Sequence, residues 1–257
     1  MKKSLGQHFL TDSYYIQKIL ESIITLIPKG DQLIEIGPGG GVMTEKLINM
    51  YPKLRVLELD KRFATNLKKR FPQLSVIYGN ATRFPFVNRE NLSLFGNLPY
   101  NVSVRIINRL VEEEVENMVF LVQKEVAERL TAKPGTKPYN SETIFIDFHC
   151  EAELLFDIPA GAFRPKPKVV SSLVHLKKRA TPKVDVKNYL EFMRFIRLCF
   201  SQKRKMVRNN LKKQYPDTNI EETLLALNLK ETARADEMPI QELTNLFAAL
   251  EGSKLER

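Results

Sequence analysis

The stretch Gln32-Leu33-Ile34-Glu35-Ile36-Gly37-Pro38-Gly39-Gly40-Gly41 decides the fold. A short apolar run ends in a cluster of glycines, and a helical pattern over residues 42–50 follows at once. An apolar run this short, bounded by glycine, reads as a buried strand. The glycines let the backbone turn tightly and come close to a ligand at the start of the next helix. Strand, glycine turn and helix in that order form the first unit of an α/β sheet.

The same alternation continues on both sides. A helix is expected over residues 13–26, capped by Asp12 or Ser13. Further strands are expected over 55–59, 74–78, 92–95 and 118–122, with helices over 62–71, 102–113 and 124–130 between them. This pattern predicts a mostly parallel, doubly wound sheet, finished by antiparallel strands over 154–158 and 169–176. Arg179-Ala180-Thr181-Pro182-Lys183 reads as a linker, and only helical patterns follow it, over 187–200, 203–213, 220–227 and 240–250. Two domains are therefore expected: residues 1–180 as a catalytic sheet domain and 181–257 as a small all-helical domain.

The net charge of +10 is unevenly spread. Thirteen basic residues against two acids lie between Lys177 and Lys213, so this segment alone accounts for the whole excess. Such a concentration marks a polyanion-binding surface. If residues 200–212 are helical, Phe200, Val207 and Leu211 share one face, and Lys205, Arg208 and Lys212 a neighbouring one. Lys203, Arg204, Lys205, Arg208 and Lys212 are the candidate phosphate contacts, giving affinity with little sequence readout. The two cysteines, Cys150 and Cys199, and the three histidines share no metal-ligand spacing, so no metal is expected. No apolar h-region follows Met1-Lys2-Lys3, and no stretch is long enough to span a bilayer, so a cytoplasmic protein without a membrane partner is expected.

The glycine loop alone does not separate one nucleotide cofactor from another. Glu58, near the end of the second strand, can accept both hydroxyls of a ribose, with Asp60 as the competitor for that role. The separating motif is Asn97-Leu98-Pro99-Tyr100, at the end of a later strand. An exocyclic adenine amine is a poor nucleophile because its lone pair is delocalised into the ring. It improves when two acceptors take its two N–H groups. The Asn97 side-chain oxygen and the Leu98 carbonyl can be those acceptors. Pro99 fixes the local backbone, and Tyr100 offers a ring for the base to stack on.

With this motif the chain resembles the ribosomal RNA adenine dimethyltransferase family of the KsgA type. Four further blocks carry the resemblance across nearly the whole length: Lys2–Leu10, Gln123–Arg129, Phe163–Ser171 and Phe200–Leu211. It implies a Rossmann-like class I methyltransferase fold and S-adenosyl-L-methionine as cofactor. The implied reaction dimethylates the exocyclic amines of two adjacent adenosines near the 3′ end of small-subunit rRNA. The implied partner is that RNA in a pre-30S-like particle, met by a monomer. The resemblance places Gln7, His8, Leu10, Gly37, Gly39, Gly41, Glu58, Leu59, Asn80, Ala81 and Asn97 around the cofactor. Asn97, Leu98, Pro99 and Tyr100 lie at the target base, with Phe163 as a second stacking face or else a core aromatic.

One position departs from the family. Gly79-Asn80-Ala81 stands where an aspartate is usual. The Asn80 oxygen is expected to accept the cofactor's adenine amine without charge assistance, at a cost of about 1 kcal/mol. Four alternatives remain: an Erm-type methylase of large-subunit rRNA, a non-catalytic RNA-binding or assembly factor, a DNA adenine methyltransferase and a nicotinamide-dependent oxidoreductase. The last leaves Asn97–Tyr100 without a role.

Overall fold

The computed structural model describes residues 8–86 and 91–255. The strands, in chain order, are β1 (Phe9–Leu10), β2 (Gln32–Ile36), β3 (Arg55–Glu58), β4 (Ser75–Tyr78), β5 (Leu92–Asn97), β6 (Asn117–Gln123), β7 (Cys150–Ile158), β8 (Phe163–Arg164) and β9 (Ser171–Lys178). The helices are α1 (Ser13–Leu26), α2 (Val42–Leu47), α3 (Lys61–Arg70), α4 (Ser103–Leu110), α5 (Lys124–Leu130), α6 (Ser141–His149), α7 (Tyr189–Cys199), α8 (Val207–Leu211), α9 (Ile220–Ala226) and α10 (Ile240–Leu255).

Seven described strands form one sheet in the order β4-β3-β2-β5-β6-β9-β7. Pairings from β4 through β6 are parallel, and β9 runs antiparallel to both β6 and β7. The order reverses at β2, which pairs with β3 on one side and β5 on the other. In an open α/β sheet the crevice at such a reversal, beyond the carboxyl ends of the strands, is where ligands bind. The parallel strands are apolar almost throughout because helices cover both faces. Leu33, Ile34, Val56, Leu94 and Val119 are fully shielded from solvent. Asp12 caps α1, its carboxylate accepting the N–H groups of Tyr14 and Tyr15.

The chain divides into two compact units: residues 1–127 with 150–178, and residues 128–149 with 179–257. The expected boundary at 180 therefore needs correcting. The stretch 128–149, assigned above to the sheet domain, belongs to the helical unit. Tyr139, Ile144 and Phe148 are buried in one cluster with Phe192, Ile196, Leu243 and Leu246. The Tyr139 hydroxyl donates to the Met238 carbonyl at 3.0 Å.

A second correction concerns the basic segment. Residues 201–205 form turns, and α8 starts only at Val207. The Asn210 side-chain amide donates to the carbonyl of Cys199 at 2.6 Å, holding that turn. Lys203, Arg204 and Lys205 thus lie on a turn and do not share a helix face with Arg208 and Lys212. Arg204, Lys205 and Lys212 are exposed. Lys203 donates to the Lys137 carbonyl, and Arg208 pairs with Glu221.

Candidate active site

The glycine loop after β2 opens a pocket at the carboxyl ends of β2, β3, β4 and β5. It holds about 810 Å³ of empty space, counting its open mouth. That size suits a small-molecule ligand. Gly39 shows why the loop needs glycine there. Its φ is +53°, and a Cβ would sit 2.6 Å from the Phe9 ring. Its N–H donates to Glu58 Oε2 at 3.0 Å, tying the loop to β3. Gly37 lines the pocket, but Gly41 does not. A Cβ on Gly41 would meet the Leu67 side chain at 2.6 Å, so this glycine lets α3 pack closely.

Glu58 is 3% exposed. Its carboxylate accepts from Gly39 and, at 2.7 Å, from the Asp60 N–H. Burial raises its pKa above the ordinary carboxylate value, and the backbone N–H groups of Asp60, Gly39 and Leu59 pull it back. Asp60, the competitor, caps α3 and pairs with Arg62 at 2.6 Å. Its carboxylate is already used, and it does not line the pocket. Glu35 carries a second buried carboxyl. Burial pushes it up to about 7, the Thr44 hydroxyl at 2.6 Å opposes the rise, and the charge of Glu58 adds to it. Glu35 opens on a smaller neighbouring cavity that shares Phe9, Gly37 and Asn97 with the main pocket. No role for it was read from the sequence, although a carboxylate inside an apolar strand is itself a signal.

Leu59, Asn80 and Ala81 line the far wall of the pocket, and Leu59 is 46% exposed. The oxygen expected to accept an adenine amine is already in use. Asn80 Oδ1 accepts the Thr82 N–H at 3.0 Å and the Thr82 hydroxyl at 2.9 Å.

Asn97 stands at the end of β5. Its Nδ2 donates to the His8 carbonyl at 2.8 Å. A carbonyl can only accept, so the amide orientation is settled and Oδ1 is left for another donor. No described residue donates to the Leu98 carbonyl, while the Leu98 N–H is held by the Leu121 carbonyl at 3.1 Å. Tyr100 is held in two places. Its hydroxyl lies 2.5 Å from Ser171 Oγ, and the His8 ring stacks on it with centroids 5.4 Å apart. His8 is itself anchored, its Nδ1 donating to the Pro165 carbonyl at 2.7 Å.

Three further expected site residues are placed elsewhere or lie outside the described residues. Phe163 is fully buried in the core with Leu10, Ile158 and Leu173, and does not reach the pocket. The pairing of β8 with β1, Leu10 opposite Phe163, turns the ring inward. Leu10 belongs to the same core and touches only the smaller cavity. Gln7 lies outside the described residues. Among the described residues no group of three or more His, Cys, Asp or Glu is placed to hold a metal ion. No described helix is long and apolar enough to cross a membrane.

A family model described as ribosomal RNA adenine dimethylase matches residues 1–251. The chain belongs to the ribosomal RNA adenine dimethylase family. The ribosomal RNA small subunit methyltransferase A of Pseudomonas aeruginosa is 37% identical over 98% of this chain and 97% of that protein. The enzyme of the same name from Shewanella sediminis is 36% identical over 94% and 91%. A dimethyladenosine transferase from Plasmodium falciparum superposes with a TM-score of 0.82 at 25% identity, covering 96% and 98%. The 23S rRNA methyltransferase ErmE, at 23% identity and a TM-score of 0.75, shares the fold.

As a member of this adenine dimethylase family the chain is an S-adenosylmethionine-dependent methyltransferase. The pocket suits that cofactor on its own features. Burial raises the pKa of Glu58 in the pocket and of Glu35 on the cavity beside it, and a ligand that brings positive charge close to them favours their ionised forms. Gly39, with no Cβ, lets the loop pass close to the Phe9 ring while its N–H holds the Glu58 carboxylate at the pocket.

Proposed function

We propose that this chain transfers two methyl groups to the exocyclic amine of each of two adjacent adenosines near the 3′ end of small-subunit rRNA. The observation that carries the reading is the pair of unclaimed acceptors at the end of β5. The His8 carbonyl turns Asn97 so that Oδ1 is free, and the Leu98 carbonyl beside it has no described donor.

The order of the strands supports the layout. Along the sheet, Asn80 lies two residues beyond the end of β4, Glu58 at the end of β3, Gly37 just beyond β2 and Asn97 at the end of β5. Neighbouring strands lie about 4.8 Å apart. Four adjacent ends therefore form a track for adenine, ribose, methionine and target amine, in that order. Glu58 holds the ribose, Leu59 and Ala81 flank the adenine, and Glu35 faces the ammonium end.

The cofactor, when bound, supplies an electrophilic methyl on a sulfonium. The protein's part is positioning. The target base leaves its stack, as it must for chemistry on a base, and lies against Tyr100. Asn97 Oδ1 and the Leu98 carbonyl take the two amine hydrogens, which frees the nitrogen lone pair and stabilises the charge that grows on it. No strong general base is needed, because the product ammonium is very acidic and loses its proton to water.

Arg204, Lys205 and Lys212 are the phosphate contacts in this reading, and Arg208 joins them on release from Glu221. The enzyme acts as a monomer in the cytoplasm, on a precursor of the small subunit. The test offers labelled S-adenosylmethionine with unmodified small subunits and, separately, with unmodified large-subunit RNA. Dimethyladenosine in small-subunit RNA, lost with Asn97→Ala, is the expected result. Label confined to large-subunit RNA overturns the substrate assignment.

A further inference from the structure

Asn80 lines the pocket between Gly79 and Ala81, and its amide has only one chemically sensible orientation. The Thr82 N–H meets one end of that amide at 3.0 Å, and the Thr82 hydroxyl meets the same atom at 2.9 Å. A backbone N–H can only donate, so the atom it meets is the oxygen. Two donors then occupy the two lone pairs of Oδ1. The remaining end is Nδ2, which carries two N–H donors and no acceptor, and no described residue takes them. The wall of the pocket formed by Asn80 therefore offers a nucleobase hydrogen-bond donors from this side chain.

The consequence follows from the edge of the purine ring. Adenine presents an amine, which donates, beside N1, which accepts. Hypoxanthine presents O6, which accepts, beside N1–H. An amide N–H pairs with adenine N1 or with hypoxanthine O6. A carboxylate in the same place would accept the adenine amine and repel O6. We propose that Asn80 makes this enzyme a relaxed reader of its cofactor's base, binding the ring without reading the 6-amino group, so that a 6-oxo purine is accepted about as well as adenine. The inference rests on the placement of the cofactor's adenine against the β4 end of the pocket.

Asn80→Asp is the informative variant. One carboxylate oxygen can still accept both Thr82 bonds, so the turn survives, while the other faces the pocket as an acceptor. The experiment is isothermal titration calorimetry with S-adenosylhomocysteine and S-inosylhomocysteine. The wild-type chain, Asn80→Asp and Asn80→Ala are compared, with thermal melting to check folding. The wild-type affinities for the two ligands should agree within about 5-fold. In Asn80→Asp the preference for the adenosyl compound should widen by roughly 10- to 100-fold, the worth of a charge-assisted hydrogen bond. A wild-type preference of about 100-fold or more means that another group reads the amine, and overturns the proposal. So does an unchanged ratio in Asn80→Asp, if Asn80→Ala weakens both ligands. If neither variant alters either affinity, the adenine does not lie at this wall, and the placement fails together with the proposal.

Discussion

Replacing Glu35 with glutamine should remove a pH dependence from the stability of the sheet unit. Glu35 sits mid-strand in β2, opposite Val56 on β3 and Phe95 on β5, and is 3% exposed. Burial holds its carboxyl at about 7 in the folded protein, against an ordinary value of 4.5. Below pH 4.5 the group is neutral in both states and favours neither. Between 4.5 and 7 the unfolded chain ionises it freely while the folded chain keeps the proton, so stability falls as pH rises. Above 7 both states are ionised and the loss is complete. At 1.36 kcal/mol per unit, the fall is about 3 kcal/mol across that window. Glutamine keeps an oxygen for the Thr44 hydroxyl and does not titrate. Its extra N–H groups add a cost of roughly 1–3 kcal/mol if unpaired, but that cost is the same at every pH. The slope is therefore the clean observable. Urea unfolding of ligand-free wild type and Glu35→Gln at pH 5, 6, 7 and 8 gives a difference in which other titrating groups, Glu58 included, cancel to first order. The variant should gain about 2–3 kcal/mol on the wild type between pH 5 and pH 8, part of the fall being already complete at pH 5. Parallel curves would refute the reasoning, because they would mean that Glu35 ionises in the folded state at its ordinary pKa.

Two other perturbations separate residues that bind from residues that pack. Gly39→Ala puts a methyl against the Phe9 ring and strains the loop that donates to Glu58. It should weaken S-adenosylhomocysteine by about 10-fold or more, read by calorimetry. Gly41→Ala strikes the Leu67 side chain instead, so it should lower stability while leaving that affinity within about 3-fold. Phe163→Ala should cost about 3–5 kcal/mol in urea unfolding, because the ring is fully buried. Phe163→Leu should retain methyl transfer, and loss of transfer in a stable Phe163→Leu protein would return that ring to the target base.

The sheet was readable because its strands obey simple rules. Ser13–Leu26, Gln32–Ile36 and Lys124–Leu130 have the boundaries read from the sequence, and the other expected elements of the sheet unit form with shifted ends. Helix α6 was not read. Thr143, Ile144, Ile146 and Phe148 are all buried, so the helix is apolar around much of its circumference and has no clear stripe. Without that helix, the assignment of 128–149 to the helical unit could not be anticipated. Charge spacing alone does not distinguish a helix from a turn, so the run Lys203–Lys205 reads as helical in the sequence and forms a turn in the structure. Phe163 illustrates a different limit. An aromatic beside prolines has the same sequence signature whether it faces a ligand or the core, and only the register of β1 on β8 decides.

The two asparagines of the pocket carry this argument into the chemistry. Asn80 and Asn97 have the same side chain, and both stand at the ends of parallel strands, at or just beyond the last paired residue. Each has one end of its amide taken by backbone. At Asn97 the neighbour is the His8 carbonyl, an acceptor, so the oxygen is presented to the pocket. At Asn80 it is the Thr82 N–H, a donor, so the nitrogen is presented. One position can therefore activate an amine, and the other is blind to one. A residue list contains neither fact. The role at Asn97 is set by a segment 89 positions earlier in the chain, and the role at Asn80 by a turn two residues on. The same logic gives the outcome of exchanging the amide for a carboxylate. Asn80→Asp gains an acceptor and keeps its turn. Asn97→Asp sets a carboxylate oxygen against the His8 carbonyl, and loses the contact that aims the group at its target.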